Sequence, residues 1–119
     1  MVKRERLICA AAEVLEQGKG VVFPLDDAGQ GDGFVVRYKG RAHGYINRCA
    51  HVPVPLDWQE GEFFDLTRHN LICATHGAQY EPDSGLCVLG PCRGKSLQKL
   101  EIEERNGRIY WITETDHHE

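Results

Sequence analysis

An all-β fold follows from three features of the sequence. Short runs rich in β-branched and aromatic residues recur along the chain, among them Val21-Val22-Phe23, Phe34-Val35-Val36-Arg37-Tyr38 and Leu86-Cys87-Val88-Leu89, and such side chains suit the pleated, half-buried surface of a strand. Turn chemistry separates these runs, as at Lys39-Gly40-Arg41 and Pro82-Asp83-Ser84-Gly85. Near the end, Asn106-Gly107 is the strongest two-residue hairpin signal in the chain.

The first strand is expected at Leu7-Ile8-Cys9. Residues 10–17 then form a short helical turn, because Ala, Glu, Leu and Gln are good helix formers, and Gly18-Lys19-Gly20 ends it. After the strand Val21-Val22-Phe23, residues 26–33 hold three Gly and three Asp and read as a loop. Residues 34–38 pair with Gly44-Tyr45-Ile46-Asn47, and this returning strand ends just before Cys49. Leu71-Ile72 is a short strand feeding Cys73, Tyr80-Glu81 is another, and residues 86–89 return from the turn at 82–85. Residues 96–104 alternate in polarity. With Asn-Gly at the hairpin centre, Ile102 falls opposite Trp111 and Glu104 opposite Ile109, so Leu100, Ile102, Ile109 and Trp111 share a core face. Trp58, Phe63 and Phe64 are expected in the core. The polar tail 113–119, with His117 and His118, is expected to be disordered and solvated.

The length of 119 residues predicts one domain over 1–119, with no room for a second catalytic unit. With 14 basic against 18 acidic residues, a net charge of -4 and no basic run, nucleic acid is not expected as a partner. The basic start is followed by an apolar run that stops at Glu13. It falls short of both a signal core of about 7 to 15 residues and a membrane span of about 20, so a soluble, cytoplasmic protein with no membrane partner is expected. Five Cys in a reducing compartment argue against a disulfide framework. Cys9 suits a small buried hydrophobe, and Cys87 and Cys92 are expected as a free pair beside Gly90-Pro91.

Chemistry concentrates in two Cys-His pairs. Cys49-Ala50-His51 and Cys73-Ala74-Thr75-His76-Gly77 are separated by 21 residues, and thiolate with imidazole is a donor set for soft or borderline transition metals. Zinc knuckles generally present C-x2-C or H-x3-5-H, whereas each arm here carries one Cys and one His, which disfavours zinc. His69 lies outside the two pairs and is not expected to bind metal. Pro53 and Pro55 keep the first arm out of a sheet centre.

C-x-H, a spacer and C-x2-H-G resemble the signature of the Rieske [2Fe-2S] ferredoxin family, of the soluble, low-potential type. Residues 47–56 are similar to its first cluster loop and 73–80 to its second. The tract Tyr80-Glu81-Pro82-Asp83-Ser84-Gly85, then Gly90-Pro91 and Leu97, is similar to the segment that runs into its proline loop. The resemblance implies an antiparallel β-sandwich or barrel with a small cluster-binding subdomain of two loops, at about 45–92. It also implies that Cys49 and Cys73 hold one iron and His51 and His76 the other, and that Gly90-Pro91 lies over the cluster. Residues 57–70 lengthen the spacer beyond that of compact family members.

Two ferric ions, two sulfides and two thiolates sum to zero charge, so such a centre accepts an electron more easily than an all-Cys cluster. High-potential members have further Cys where this chain has Val54 and Thr75, and a Ser where it has Ala78, which implies a low potential. Tyr80 is retained at the other donor position. The resemblance therefore implies a soluble, non-enzymatic electron carrier with redox partner proteins, a reductase and a terminal oxidoreductase such as an oxygenase. The alternatives are a Rieske-type small subunit of a nitrite-reductase-like complex and a zinc-stabilised interaction module.

Overall fold

A computed structural model describes residues 3–25, 31–50, 54–57, 59–73, 75 and 77–115. Its strands are β1 (Lys3–Ala10), β2 (Val21–Pro24), β3 (Asp32–Tyr38), β4 (Arg41–Ile46), β5 (Leu71–Ile72), β6 (Gln79–Tyr80), β7 (Cys87–Leu89), β8 (Lys99–Leu100), β9 (Ile102–Arg105) and β10 (Arg108–Thr115). They form three antiparallel sheets in the orders β1-β10-β9, β2-β3-β4-β8 and β5-β6-β7. The all-β expectation holds, with one 3-10 turn at Ala11–Glu13.

β3 explains how the sheets stack. Its apolar residues form a run, Phe34-Val35-Val36, and all three are fully buried, as a strand covered on both faces requires. Phe34 and Val36 pack with Tyr45, Phe63, Leu71 and Tyr80 on one side. Val35 packs on the other with Cys9, Val14, Phe23 and Ile109. The middle sheet is thus sandwiched between β1-β10-β9 and the small sheet β5-β6-β7.

The terminal hairpin has the predicted register, with Trp111 opposite Ile102 and Ile109 opposite Glu104. Both turn residues, Asn106 and Gly107, have positive φ, at 51° and 76°, matching the right-handed twist of the flanking strands. Ile109 is buried, and Leu100, Ile102 and Trp111 pack against the core cluster to which it belongs. The alternating stretch 96–104 does not stay in one sheet. It divides at Glu101, so β8 joins β4 while β9 joins β10, and the Glu101 carbonyl accepts the Ile112 N–H at 2.9 Å. Gly44 makes this crossing possible, because a Cβ there would lie 2.4 Å from Ile102 Cγ1.

Several boundaries differ from expectation. β1 begins at Lys3 rather than Leu7, since an edge strand tolerates Lys3-Arg4-Glu5-Arg6 and β10 supplies partners throughout. For the same reason 113–115, expected to be disordered, continue β10, with Thr115 opposite Lys3. The helical turn is confined to Ala11–Glu13, because the residues after it are claimed by tertiary contacts: Val14 is buried, and the Glu16 carboxylate accepts the Lys39 and Gly40 N–H groups at 2.7 and 2.9 Å. Propensity loses to these contacts. In the expected loop at 26–33, Asp32 and Gly33 belong to β3, while 26–30 lie outside the described residues, as do Trp58, His117 and His118.

Arg37 ties the layers together. Its Nε donates to the Val14 carbonyl at 2.8 Å and Nη2 to the Ala11 carbonyl at 3.2 Å, while the fork meets both Glu104 oxygens at 3.0 and 3.1 Å. The Arg37 side chain is only 16% exposed, so removing it strands part-buried carbonyls and a carboxylate. Arg37→Ala should lower unfolding free energy by about 2 kcal/mol, read as a lower urea midpoint at unchanged m-value; a loss below about 0.5 kcal/mol would show that the network is only surface decoration.

Candidate metal centre

Cys49 follows β4 and Cys73 follows β5, and both are buried, at 4% and 0% exposure. They belong to one cluster of buried side chains with Ala78, Tyr80, Cys87 and Cys92. His51 and His76 lie outside the described residues. His69, not expected to bind metal, is exposed, and its backbone N–H is taken by the Asp65 carboxylate at 3.2 Å.

Local hydrogen bonds shape each arm. The Cys49 N–H donates to the Val54 carbonyl at 2.8 Å. The Asn47 amide fastens the far side of this loop, its oxygen accepting the Leu56 N–H at 2.8 Å and its nitrogen donating to Asp57 at 3.2 Å. In the second arm the Cys73 N–H donates to the Ala78 carbonyl at 2.8 Å and the Gly77 N–H to the Cys73 carbonyl at 2.9 Å. Gly77 takes a φ of 74° to close this turn.

Tyr80 joins the arms. Its hydroxyl accepts the Ala50 N–H at 3.0 Å and lies 3.1 Å from Cys49 Sγ and 3.1 Å from Cys92 Sγ. Burial pushes its ionisation well above the ordinary tyrosine range, and the bonds to Cys49 and Cys92 push the same way. Tyr80 therefore stays neutral and keeps one proton to donate towards sulfur. The sequence reading anticipated Tyr80 as a donor; that it also reaches Cys92 was missed, because nothing in the spacing of residues 80 and 92 indicates it.

The resemblance places Gly90-Pro91 over the cluster; among the described residues Gly90 lies against the second arm. Gly90, at φ 103°, packs so closely that a Cβ would lie 2.8 Å from Ala78 Cα. Behind it, Cys87 and Cys92 are buried with their sulfurs 2.8 Å apart. Burial, and then the hydrogen bond with Cys92, push the Cys87 thiol up to about 11.

The lengthened spacer folds back as a small hairpin. The Asp65 N–H donates to Asn70 O at 2.9 Å and the Ile72 N–H to Phe63 O at 2.8 Å. Phe63 and Phe64 are buried, as expected, and Phe63 stacks on Phe34 with ring centroids 3.9 Å apart. The extra length thus extends the pairing outward from β5, where Phe64 bridges Leu71.

Two buried sulfurs at the starts of two adjoining tight turns, one of them within reach of a neutral hydroxyl donor, fit the thiolate half of an iron-sulfur site: thiolates need exclusion from bulk water and donors aimed at sulfur. Residues 5–104 match the family described as Rieske [2Fe-2S] domain. The chain belongs to that family, whose cofactor is a Rieske-type [2Fe-2S] cluster.

No curated protein matches the chain. Among solved structures it is similar to the terminal oxygenase of carbazole 1,9a-dioxygenase from Novosphingobium sp. KA1, with 21% identity, a TM-score of 0.76, and coverage of 98% of this chain and 31% of that one. It is also similar to the ferredoxin of carbazole 1,9a-dioxygenase from Nocardioides aromaticivorans IC177, at 16% identity and a TM-score of 0.73, covering 92% and 98% of the two chains. A Sphingomonas yanoikuyae B1 ferredoxin gives 18% identity and a TM-score of 0.70, with the same coverage of 92% and 98%. The chain spans about three-tenths of the oxygenase and nearly the whole of each ferredoxin. At these identities the likeness shows a shared fold. Among the described residues no helix is long and apolar enough to cross a membrane.

The contact between Gly90 and Ala78 gives a direct test. Gly90→Ala adds a Cβ against backbone at a φ that L side chains rarely adopt, a strain of about 1–3 kcal/mol. Differential scanning calorimetry should show a clear drop in Tm, and iron per chain should fall as the loop lifts from the second arm. A Tm within error of the parent would mean that the loop does not rest on Ala78.

Proposed function

We propose that this protein is a soluble, cytoplasmic electron carrier that takes single electrons from a reductase and passes them to a terminal oxidoreductase such as an oxygenase. The observation that carries the reading is the family match over 5–104 together with a core in which Cys49, Cys73 and Tyr80 come together. The near-complete coverage of proteins described as ferredoxins supports a carrier.

Cys49 and Cys73 would hold one iron as thiolates, and His51 and His76 the other as neutral imidazoles. When bound, the cluster supplies a one-electron couple. Tyr80 then offers its single proton to Cys49 Sγ, in competition with Cys92 Sγ, steadying the thiolate, while the Ala50 N–H holds the hydroxyl oxygen in place. Val36, Leu56, Phe63 and Leu71 exclude water from the thiolate side. Ala78 offers no hydroxyl, so sulfur receives one side-chain donor fewer than in family members with Ser there.

Anaerobically purified protein should be red-brown, with two irons and two acid-labile sulfides per chain. Cys49→Ser, Cys73→Ser, His51→Ala and His76→Ala should each lose iron, whereas His69→Ala should keep it; the reverse pattern for His69 and His76 refutes the ligand set. A colourless protein with one zinc refutes the reading as a whole.

The midpoint potential should lie towards the low end of the family range of roughly -150 to +300 mV. Tyr80→Phe should lower it further by some tens of millivolts, corresponding to about 1 kcal/mol for one electron. Ala78→Ser should raise it. Protein-film voltammetry reads all three, and an Ala78→Ser value at or below the parent contradicts the donor argument.

A further inference from the structure

Cys87 ends its strand's pairing with Tyr80, and Cys92 lies in the loop that turns back over it. Their sulfurs are 2.8 Å apart, about 0.8 Å from the bonding distance of about 2.05 Å. The loop between them is held closed by backbone bonds. The Cys87 N–H donates to Lys95 O at 2.7 Å, the Lys95 N–H to Cys92 O at 2.8 Å and the Gly94 N–H to Cys87 O at 3.2 Å. Both are thiols in this structure, each about 1% exposed. Cys92 is flanked by exposed Pro91 and Arg93, so only one turn of loop separates it from solvent.

We propose that Cys87 and Cys92 form a reversible dithiol–disulfide site, a two-electron redox centre separated from Cys49 by one hydroxyl group. The oxidant is a peroxide. Cys92 Sγ attacks one oxygen of hydrogen peroxide, the O–O bond breaks, and the displaced oxygen leaves as water with the thiol proton. Cys87 Sγ then attacks the resulting sulfenic sulfur, the S–S bond forms, the S–O bond breaks, and the hydroxyl leaves as a second water with the Cys87 proton. Two electrons pass from the two sulfurs to peroxide, and a dithiol reductant reverses the reaction by exchange. Burial, and then the bond with Cys92, raise the Cys87 thiol, so its proton leaves with the hydroxyl during the second step rather than before it.

The site communicates with Cys49 through Tyr80, whose hydroxyl is equidistant from the two sulfurs, at 3.1 Å from each. With the dithiol, its proton is shared between them. Forming the disulfide draws Cys92 Sγ towards Cys87, which leaves Cys49 as the better acceptor. A stronger hydrogen bond to a cluster thiolate raises the potential. This consequence rests on Cys49 being a cluster ligand; the disulfide itself does not.

The test treats the holoprotein with hydrogen peroxide under argon, then alkylates remaining thiols and measures intact mass. Oxidised chains should carry two fewer alkyl groups, with the bond mapped to the peptide holding residues 87 and 92, and dithiothreitol should restore both. Cys87→Ser and Cys92→Ser should each abolish it. Continued alkylation of both cysteines, or separate sulfinic acids at the two positions, overturns the proposal on wild-type protein alone. Voltammetry of the dithiol and disulfide forms should show a higher potential in the latter, and an equal or lower value overturns the coupling. A protein that lacks the cluster spectrum from the outset refutes the carrier reading and leaves the mass measurement valid.

Discussion

β3 must be covered on both faces, and the rest of the molecule is arranged to do it. Phe34 and Val36 point one way and Val35 the other, all fully buried. A strand with two apolar faces needs a layer on each side. The terminal strands β1, β9 and β10 provide one layer, and the segment carrying the two Cys-His arms provides the other. Cys49 and Cys73 are therefore part of the core that buries Phe34, Phe63 and Tyr45. Tyr45 adds a polar tie, its buried hydroxyl donating to the Pro82 carbonyl at 2.8 Å. A redox site benefits from such support, because ligands that move little on electron transfer cost little reorganisation.

Within that layer the Tyr80 hydroxyl is the point where three segments meet. A buried hydroxyl must find partners or bear the cost of desolvation. Here the partners come from the first arm, through Ala50 N–H and Cys49, and from the loop after β7, through Cys92. One side chain thus ties both loops to β6. It also lies beside sulfur in a low-dielectric setting, where a hydrogen bond has more electrostatic effect than in water.

The long spacer shows how the fold absorbs additional length. Phe63 and Phe64 anchor its base in the core, and Asp65 gathers the Thr67 hydroxyl and the His69 N–H at its tip. Cross-contacts then hold that tip to the rest of the molecule. Gln17 Nε2 donates to Arg68 O at 2.6 Å and Arg68 Nη1 to Gln17 O at 3.1 Å. Growth is confined to the edge of β5 because the Cys73 turn is fixed by its own backbone bonds.

Local chemistry by itself determined the strands, the turns and the register of the last hairpin. β-branched runs, Pro and Gly act over a few residues, and Asn106-Gly107 sets which residues face each other across the hairpin. The two arms and their likeness to a known family were equally legible, because metal-ligand spacing is a short-range pattern. The ends of β1 and β10 were not, since charged strand residues are stabilised by a partner some hundred positions away in the sequence. Nor was the short helical turn, where Val14 burial and the bonds to Glu16 outweigh the propensity of Ala and Leu. The division of 96–104 between two sheets depends on space that Gly44 leaves for Ile102. Tyr80 as a donor and Cys87 with Cys92 as a pair were legible, but the contact of Tyr80 with Cys92, and with it the link from Cys49 to Cys87, was decided by tertiary structure alone. These contacts arise where three loops converge on one buried volume, and sequence spacing carries no record of that convergence.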